Sequence, residues 1–271
     1  MLIAQITDTH IKTPGRRAYG VVDTPRMLQD CVHALQRLDP QPDLIVLTGD
    51  LVDFGMPEEY AYLREMLSPL HVPLIVVPGN HDERDALRAA FADHDWLPAR
   101  GFLHFARQVG PLRIVGLDTV VPGSGRGELC AARLEWLATC LAAAPAQPTL
   151  LLMHHPPFLT GIQHMDAIGL TGREAFADIM AGNPQVKLIL SGHLHRSIHA
   201  SVGGRSALTC PSPAHQVSLD LRPGAPSTFH LEPPGFMLHR WTGDSFITHV
   251  ASIGNYPGPY PFFDPAGALI D

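Results

Sequence analysis

The chain has 271 residues, with 19 Lys and Arg against 26 Asp and Glu and a formal net charge of −7. That balance leaves no basic stripe for gripping a phosphate backbone, so a nucleic-acid polymer is not an expected partner, and no apolar run nears the roughly 20 residues of a membrane helix. The 4 cysteines, Cys31, Cys130, Cys140 and Cys210, form no CxxC pair; beside 16 histidines they read as reduced core thiols rather than a disulfide framework.

Residues 2–6 have the length and apolar content of a buried strand, and Asp8-Thr9-His10 follows directly. The start lacks the basic residues and apolar core of a secretion signal, and cleavage there would remove Asp8, so a cytoplasmic location is expected. Thr24-Pro25 can cap and open a helix to about residue 38, with Met27, Leu28, Cys31, Leu35 and Leu38 on its apolar side. A second strand at 44–47 ends in Gly49-Asp50-Leu51-Val52-Asp53, and a helix over 57–67 follows. The third strand, 74–77, leads into Gly79-Asn80-His81-Asp82 and then a helix over 83–91 with an acidic start. Residues 102–109 and 112–117 read as a hairpin about Gly110-Pro111, and Leu134, Leu137 and Leu141 mark a helix. A strand at 149–153 delivers His154-His155-Pro156-Pro157. A helix over 173–180 precedes the strand 186–190 and its Gly192-His193-Leu194-His195, and a hairpin spans 197–209.

This alternation marks a layered α/β catalytic core over residues 1–210. Beyond Cys210 the prolines interrupt long elements, so residues 211–271 read as a C-terminal extension packed on the core. It holds a hairpin about Gly243-Asp244 and a Pro- and aromatic-rich tail from Tyr256. That tail is a candidate cover for the site or a contact within a homo-oligomer.

Asp8 and His10, two residues apart at the end of an extended run, point the same way and can chelate one cation; His193 and His195 repeat the arrangement. Asp50 has two carboxylate oxygens and can bridge two cations, Asn80 adds a neutral amide oxygen, and His154 supplies another imidazole. This mixture suits Fe, Mn, Zn or Co and argues against a thiolate-rich site. Two such ions, divalent or of mixed valence, lie roughly 3.5 to 4 Å apart in bimetallic hydrolases and make hydroxide available near neutral pH. No side-chain nucleophile is then needed. His81 is placed to orient a phosphate or help protonate a leaving oxygen, with Asp82 a candidate to fix its tautomer. His155 reads as a support behind the ligands. Tyr19 and Arg16 are candidates to line the pocket, although a surface loop after Pro14-Gly15 explains them equally. Arg126, Arg173 and Arg196 are the arginines that folding could bring to a dianionic monoester. His33, His71, His94, His104, His164, His199, His230, His239 and His249 read as surface or packing residues.

Taken together and in this order, the five clusters resemble the calcineurin-like metallophosphoesterase superfamily. Ala18-Tyr19-Gly20, Gly55-Met56-Pro57-Glu58-Glu59-Tyr60, and Val217 after His215-Gln216 resemble its bacterial class III cyclic-nucleotide and glycerophosphodiester phosphodiesterases. The resemblance implies a four-layer αββα sandwich with a small C-terminal β/loop extension. It implies that Asp8, His10, Asp50 and His195 hold one metal and Asp50, Asn80, His154 and His193 the other. His81, Asp50 and Asn80 would then be catalytic, and His81, His215 and Tyr19 would face the substrate. The implied activity is hydrolysis of small phosphodiesters, glycerophosphodiesters or 3′,5′-cyclic nucleotides, by attack of a metal-bridging hydroxide. A phosphomonoesterase or nucleotide pyrophosphate hydrolase on the same site is the alternative. A non-catalytic interaction module stands behind both, since no ligand position has been lost.

Overall fold

A strand buried at every position, such as Leu44–Thr48, needs cover on both faces, and the chain provides it with two stacked sheets and two helical layers. The computed structural model describes residues 1–270. The elements run β1 (Leu2–Ile6), α1 (Thr24–Gln36), β2 (Leu44–Thr48), α2 (Pro57–Leu67), β3 (Leu74–Val77), α3 (Arg84–Ala90), β4 (Phe105–Val109), β5 (Leu112–Gly116), β6 (Gly127–Glu128), α4 (Ala131–Ala142) and β7 (Thr149–Leu152). They continue with α5 (Gln163–Asp166), β8 (Leu170–Thr171), α6 (Arg173–Ala181), β9 (Val186–Ser191), β10 (Ile198–Val202), β11 (Arg205–Thr209), β12 (Gln216–Val217), β13 (Phe229–His230), β14 (Gly235–Trp241) and β15 (Phe246–Ser252).

The first sheet has the order β15-β14-β1-β2-β3, with β1, β2 and β3 parallel. The second has the order β10-β11-β9-β7-β5-β4, parallel from β11 to β5 with antiparallel edges. Side chains alternate along each strand, and the alternation sorts them into three cores. Ala4, Ile6, Ile45 and Leu47 pack with Leu28 and Leu35 of α1, Leu63 of α2 and Leu87 of α3. Ile3, Val46 and Ile75 instead meet Ile114, Leu150 and Leu190 between the sheets. Val115, Leu151 and Ile189 face Leu137 of α4 and Phe176 of α6 on the far side. Three cores separate four layers, so the fold is the αββα sandwich that the resemblance implied.

Three details differ from the sequence expectation. Helix α1 is capped by Asp23, which accepts from the Arg26 N–H at 3.3 Å, while the Thr24 hydroxyl donates to the His10 carbonyl at 2.9 Å. Thr24 thus ties the helix to a loop bearing a candidate ligand instead of capping it. The hairpin β14–β15 lies beyond residue 210 in sequence yet inside the first sheet in space, because β14 pairs antiparallel with β1. The tail neither covers the site nor packs on the body: Tyr260 and Phe262 are 75% and 79% exposed.

His239 is fully buried on β14, with Nε2 3.1 Å from Gln5 Oε1 and Nδ1 2.9 Å from Thr248 Oγ1. The amide oxygen takes the ring N–H and the hydroxyl donates to the other nitrogen, so the site is built for the neutral ring. Burial pushes its pKa down to about 3. A folded pKa below the unfolded value leaves stability intact above pH ~6.5 and removes it as the pH falls towards about 3, at about 1.4 kcal/mol per unit. Urea unfolding at pH 7 and 5.5 should show that loss, and His239→Gln should flatten it. An identical slope in the variant would remove His239 from the account.

Candidate metal centre

Strands β1, β2 and β3 of the first sheet and β7 and β9 of the second all deliver their following loops to one site, as expected at the carboxyl ends of parallel strands. Those loops carry Asp8 and His10, Asp50, Asn80 and His81, His154, and His193 and His195. Every non-glycine residue with positive φ among the described residues is a sequence candidate: Asp8 (53°), His10 (45°), Tyr19 (50°), Asp50 (48°), His193 (70°) and His195 (52°). Such backbone costs of order 1–3 kcal/mol per residue and persists only where surrounding structure enforces it. It also corrects the reason given for the paired spacing. Strand β1 ends at Ile6 and β9 at Ser191, so the two pairs share a face through left-handed turns rather than a strand pleat.

Hydrogen bonds fix the rings. Nδ1 of His154 is 2.8 Å from the Thr48 carbonyl, Nδ1 of His195 is 3.0 Å from the His215 carbonyl, and Nδ1 of His10 is 3.2 Å from the Asp53 carboxylate. Each Nδ1–H donates outward and leaves Nε2 turned inward. There Nε2 of His10 and His195 lie 3.3 Å apart, and His195 Nε2 is 3.3 Å from Asp8 Oδ1. His154 Nε2 lies 3.3 Å from Asp50 Oδ2 and 3.1 Å from Asn80 Oδ1, and His10 Nε2 lies 3.7 Å from Asp50 Oδ2. His193 Nε2 is buried with no hydrogen-bond partner, and its backbone N–H reaches Asp8 Oδ2 at 3.0 Å. Lone pairs this crowded and this buried need protons or cations between them.

The electrostatics agree. Burial opposes charge on Asp50, but His154 and His81 hold its carboxyl well below the usual range. Burial would lower His154 as well, yet Asp50 pushes it up to about 9. Burial drives His193 well below the usual imidazole value. A donor set of imidazole nitrogens, carboxylates and one amide, with no thiolate, fits borderline divalent ions.

The centre opens on a cavity of about 310 Å³ lined by His81, Tyr19, His215 and Phe229 among others. His81 donates its backbone N–H to Asp50 Oδ1 at 2.8 Å, and its Nδ1 is 2.8 Å from the Asp53 carbonyl. The expected partner, Asp82, does not orient this ring. Its oxygens accept from Gly79 N–H (2.8 Å), Leu51 N–H (3.2 Å) and Tyr60 O–H (2.8 Å), which shapes the turn instead. His215 is buried, with its ring centroid 4.5 Å from that of His195 and 5.3 Å from that of Tyr19. His155 stands behind the centre, 2.8 Å from Thr119 Oγ1 and 3.1 Å from the Gly125 carbonyl.

Sequence reasoning missed part of the cavity wall. His164 and Met165 of α5 line it, as do Ser227, Thr228 and Phe229, which the two-residue ladder β12–β13 brings over the site. Arg16 lines a different cavity. Arg126, Arg173 and Arg196 do not line this one; Arg196 pairs with Glu232 at 2.8 Å.

A family model described as calcineurin-like phosphoesterase matches residues 1–197. The chain is 41% identical over 273 residues, covering 100% of both proteins, to the "Probable glycerophosphodiester phosphodiesterase GpdQ" of Arcobacter nitrofigilis. It is 36% identical over 211 residues to the "3',5'-cyclic adenosine monophosphate phosphodiesterase CpdA" of Escherichia coli (strain K12), covering 78% of this chain and 75% of that one. A solved dimetal phosphatase from Danio rerio superposes with a TM-score of 0.70 at 14% identity, covering 93% of this chain and 98% of that one, a likeness of fold alone.

Proposed function

The chain belongs to the calcineurin-like phosphoesterase family, and from that premise we propose that it hydrolyses small phosphodiesters, glycerophosphodiesters or 3′,5′-cyclic nucleotides, at a centre for two divalent ions. The observation that carries the reading is the buried ring of inward-facing nitrogens and oxygens about Asp50. Asp8, His10, Asp50 and His195 would hold one ion, and Asp50, Asn80, His154 and His193 the other, with Fe, Mn, Zn and Co all suited to the donors. When bound, the ions supply charge against the phosphoryl oxygens and lower the pKa of the attacking water. The remaining work falls to the chain. His81, held by the Asp53 carbonyl, orients the phosphate or gives a proton to the leaving oxygen. Tyr19, His215 and Phe229 wall the space for an ester group.

Diesters are favoured over monoesters because, among the described residues, no Arg or Lys lines the cavity, and a monoester dianion asks for more counter-charge than a diester does. Chelator-stripped protein resupplied with Mn, Co, Fe or Zn should hydrolyse bis(p-nitrophenyl) phosphate faster than p-nitrophenyl phosphate. Preference for the monoester would move the function to a phosphatase. His81→Ala should lower kcat by roughly 10²-fold or more with metal content unchanged, as for loss of a general acid or base. Metal loss in step with kcat would make His81 a ligand support instead.

No helix among the described residues is long and apolar enough to cross a membrane. The exposed tail, with Tyr256, Tyr260, Phe262 and Phe263, fits contact with a second copy of the chain, and sedimentation of the protein with and without residues 255–271 tests that contact.

A further inference from the structure

Arg16 belongs to a cavity of about 650 Å³ that lies between α1 and α2, away from the catalytic centre. Arg17 and Arg26 line the same end, beside the start of α1, while Val32, Tyr62 and Met66 line its course. At the far end Gln36 Nε2 donates to the Pro69 carbonyl at 3.1 Å and links the two helices. Asp23 and Glu65 are the acidic groups on the wall, and Asp23 is engaged as the helix cap. Among the described residues no ion pair ties Arg16, Arg17 or Arg26 to a carboxylate.

Arg16, Arg17 and Arg26 all line one cavity, and a guanidinium fork matches a phosphate better than a lysine does. A bare ion would leave most of the volume unfilled, and that volume falls within the roughly 300–1,000 Å³ of small-molecule sites. We propose that this groove binds a phosphorylated small molecule with a planar body, its phosphate on Arg16, Arg17 and Arg26 and its body against Tyr62, Val32 and Met66. The site is coupled to the catalytic cavity through one loop. Arg16 and Arg17 closely precede Tyr19, and the loop is pinned by the Ala18–Val22 bridge, whose residues pack on Ala214. Occupancy of the groove holds the loop that presents Tyr19, which lowers KM and leaves kcat alone.

The test is isothermal titration of the metal-loaded full chain with the 5′-methylenephosphonate analogue of AMP, whose P–C bond is not an ester. Two binding events are expected, one in each cavity. In Arg16→Ala/Arg26→Ala one event weakens at least tenfold and the other is unchanged, with the far-UV circular dichroism spectrum as the control for folding. Tyr62→Leu should weaken the same event and Tyr62→Phe should keep it. Identical isotherms in the parent and the double variant would overturn the site. Inorganic phosphate binding the groove as tightly as the analogue would overturn the planar body. For the coupling, KM for bis(p-nitrophenyl) phosphate, corrected for competition by the analogue in the catalytic cavity, should fall saturably in the parent and not in the double variant. Purely competitive inhibition in both proteins would refute it.

Discussion

Asp50→Ala should lose metal from both positions and at least ~10³-fold in kcat. Asp50 Oδ2 lies 3.3 Å from His154 Nε2 and 3.7 Å from His10 Nε2, so one oxygen faces donors from both proposed ion positions. Its other oxygen accepts the His81 N–H at 2.8 Å, which sets the loop carrying Asn80 and His81. Removing the carboxylate leaves buried imidazoles without their counter-charge and frees that loop. Asn80→Ala removes one neutral oxygen near His154 and should weaken a single position, giving about half the metal content. Asp50→Asn separates shape from charge: it keeps an acceptor for His81 but should lose metal nearly as fully as the alanine variant. Mass spectrometry of bound metal measures all three. Unchanged metal and activity in Asp50→Ala would refute the assignment.

Gly79→Ala should abolish the centre without replacing a ligand. A Cβ at Gly79 would sit 2.2 Å from both the backbone nitrogen and Oδ1 of Asp50. The backbone has little room to yield. Gly79 N–H donates to Asp82 Oδ2 at 2.8 Å, and Asp82 N–H returns to the Gly79 carbonyl at 3.1 Å. The expected cost is about 1–3 kcal/mol in stability from overpacking, together with loss of metal comparable to that of Asp50→Ala. Gly125→Ala is the control, since its Cβ would meet nothing closer than Ile168 Cδ1 at 3.7 Å, and it should change stability by less than about 0.5 kcal/mol. Denaturant unfolding and metal analysis of both variants check the pair. A stable, metal-replete Gly79→Ala would show that the loop is looser than its contacts indicate.

The clusters that meet at the candidate centre were legible because each follows an apolar strand run, and a strand that must be buried has few places to put Asp, Asn or His except its end. The four layers came from the resemblance, and the alternation along β1 and β2 is the physical reason they form. What stayed hidden was mostly long-range. Leu2 pairs with Arg240 across the chain, so nothing local to residues 235–252 indicates that they complete the first sheet. The left-handed turns at Asp8, His10, Asp50, His193 and His195 carry only a weak sequence mark, because Asp and His are enriched at positive φ among non-glycine residues yet mostly occur elsewhere. His81 is oriented by a backbone carbonyl, which no residue type reveals. The residues of β12–β13 and the four-residue α5 are too short and too interrupted by proline to show a period, so Phe229 and His164 were missed as cavity walls. His239 is a polar residue in a core, and only its partners Gln5 and Thr248, from two neighbouring strands, explain its burial.

The most direct measurement is anomalous diffraction from crystals of the manganese-loaded protein at the manganese edge. Two peaks flanking Asp50 are expected, one touching Asp8, His10 and His195 and the other touching Asn80, His154 and His193. A single peak, or peaks that do not share Asp50, would contradict the assignment.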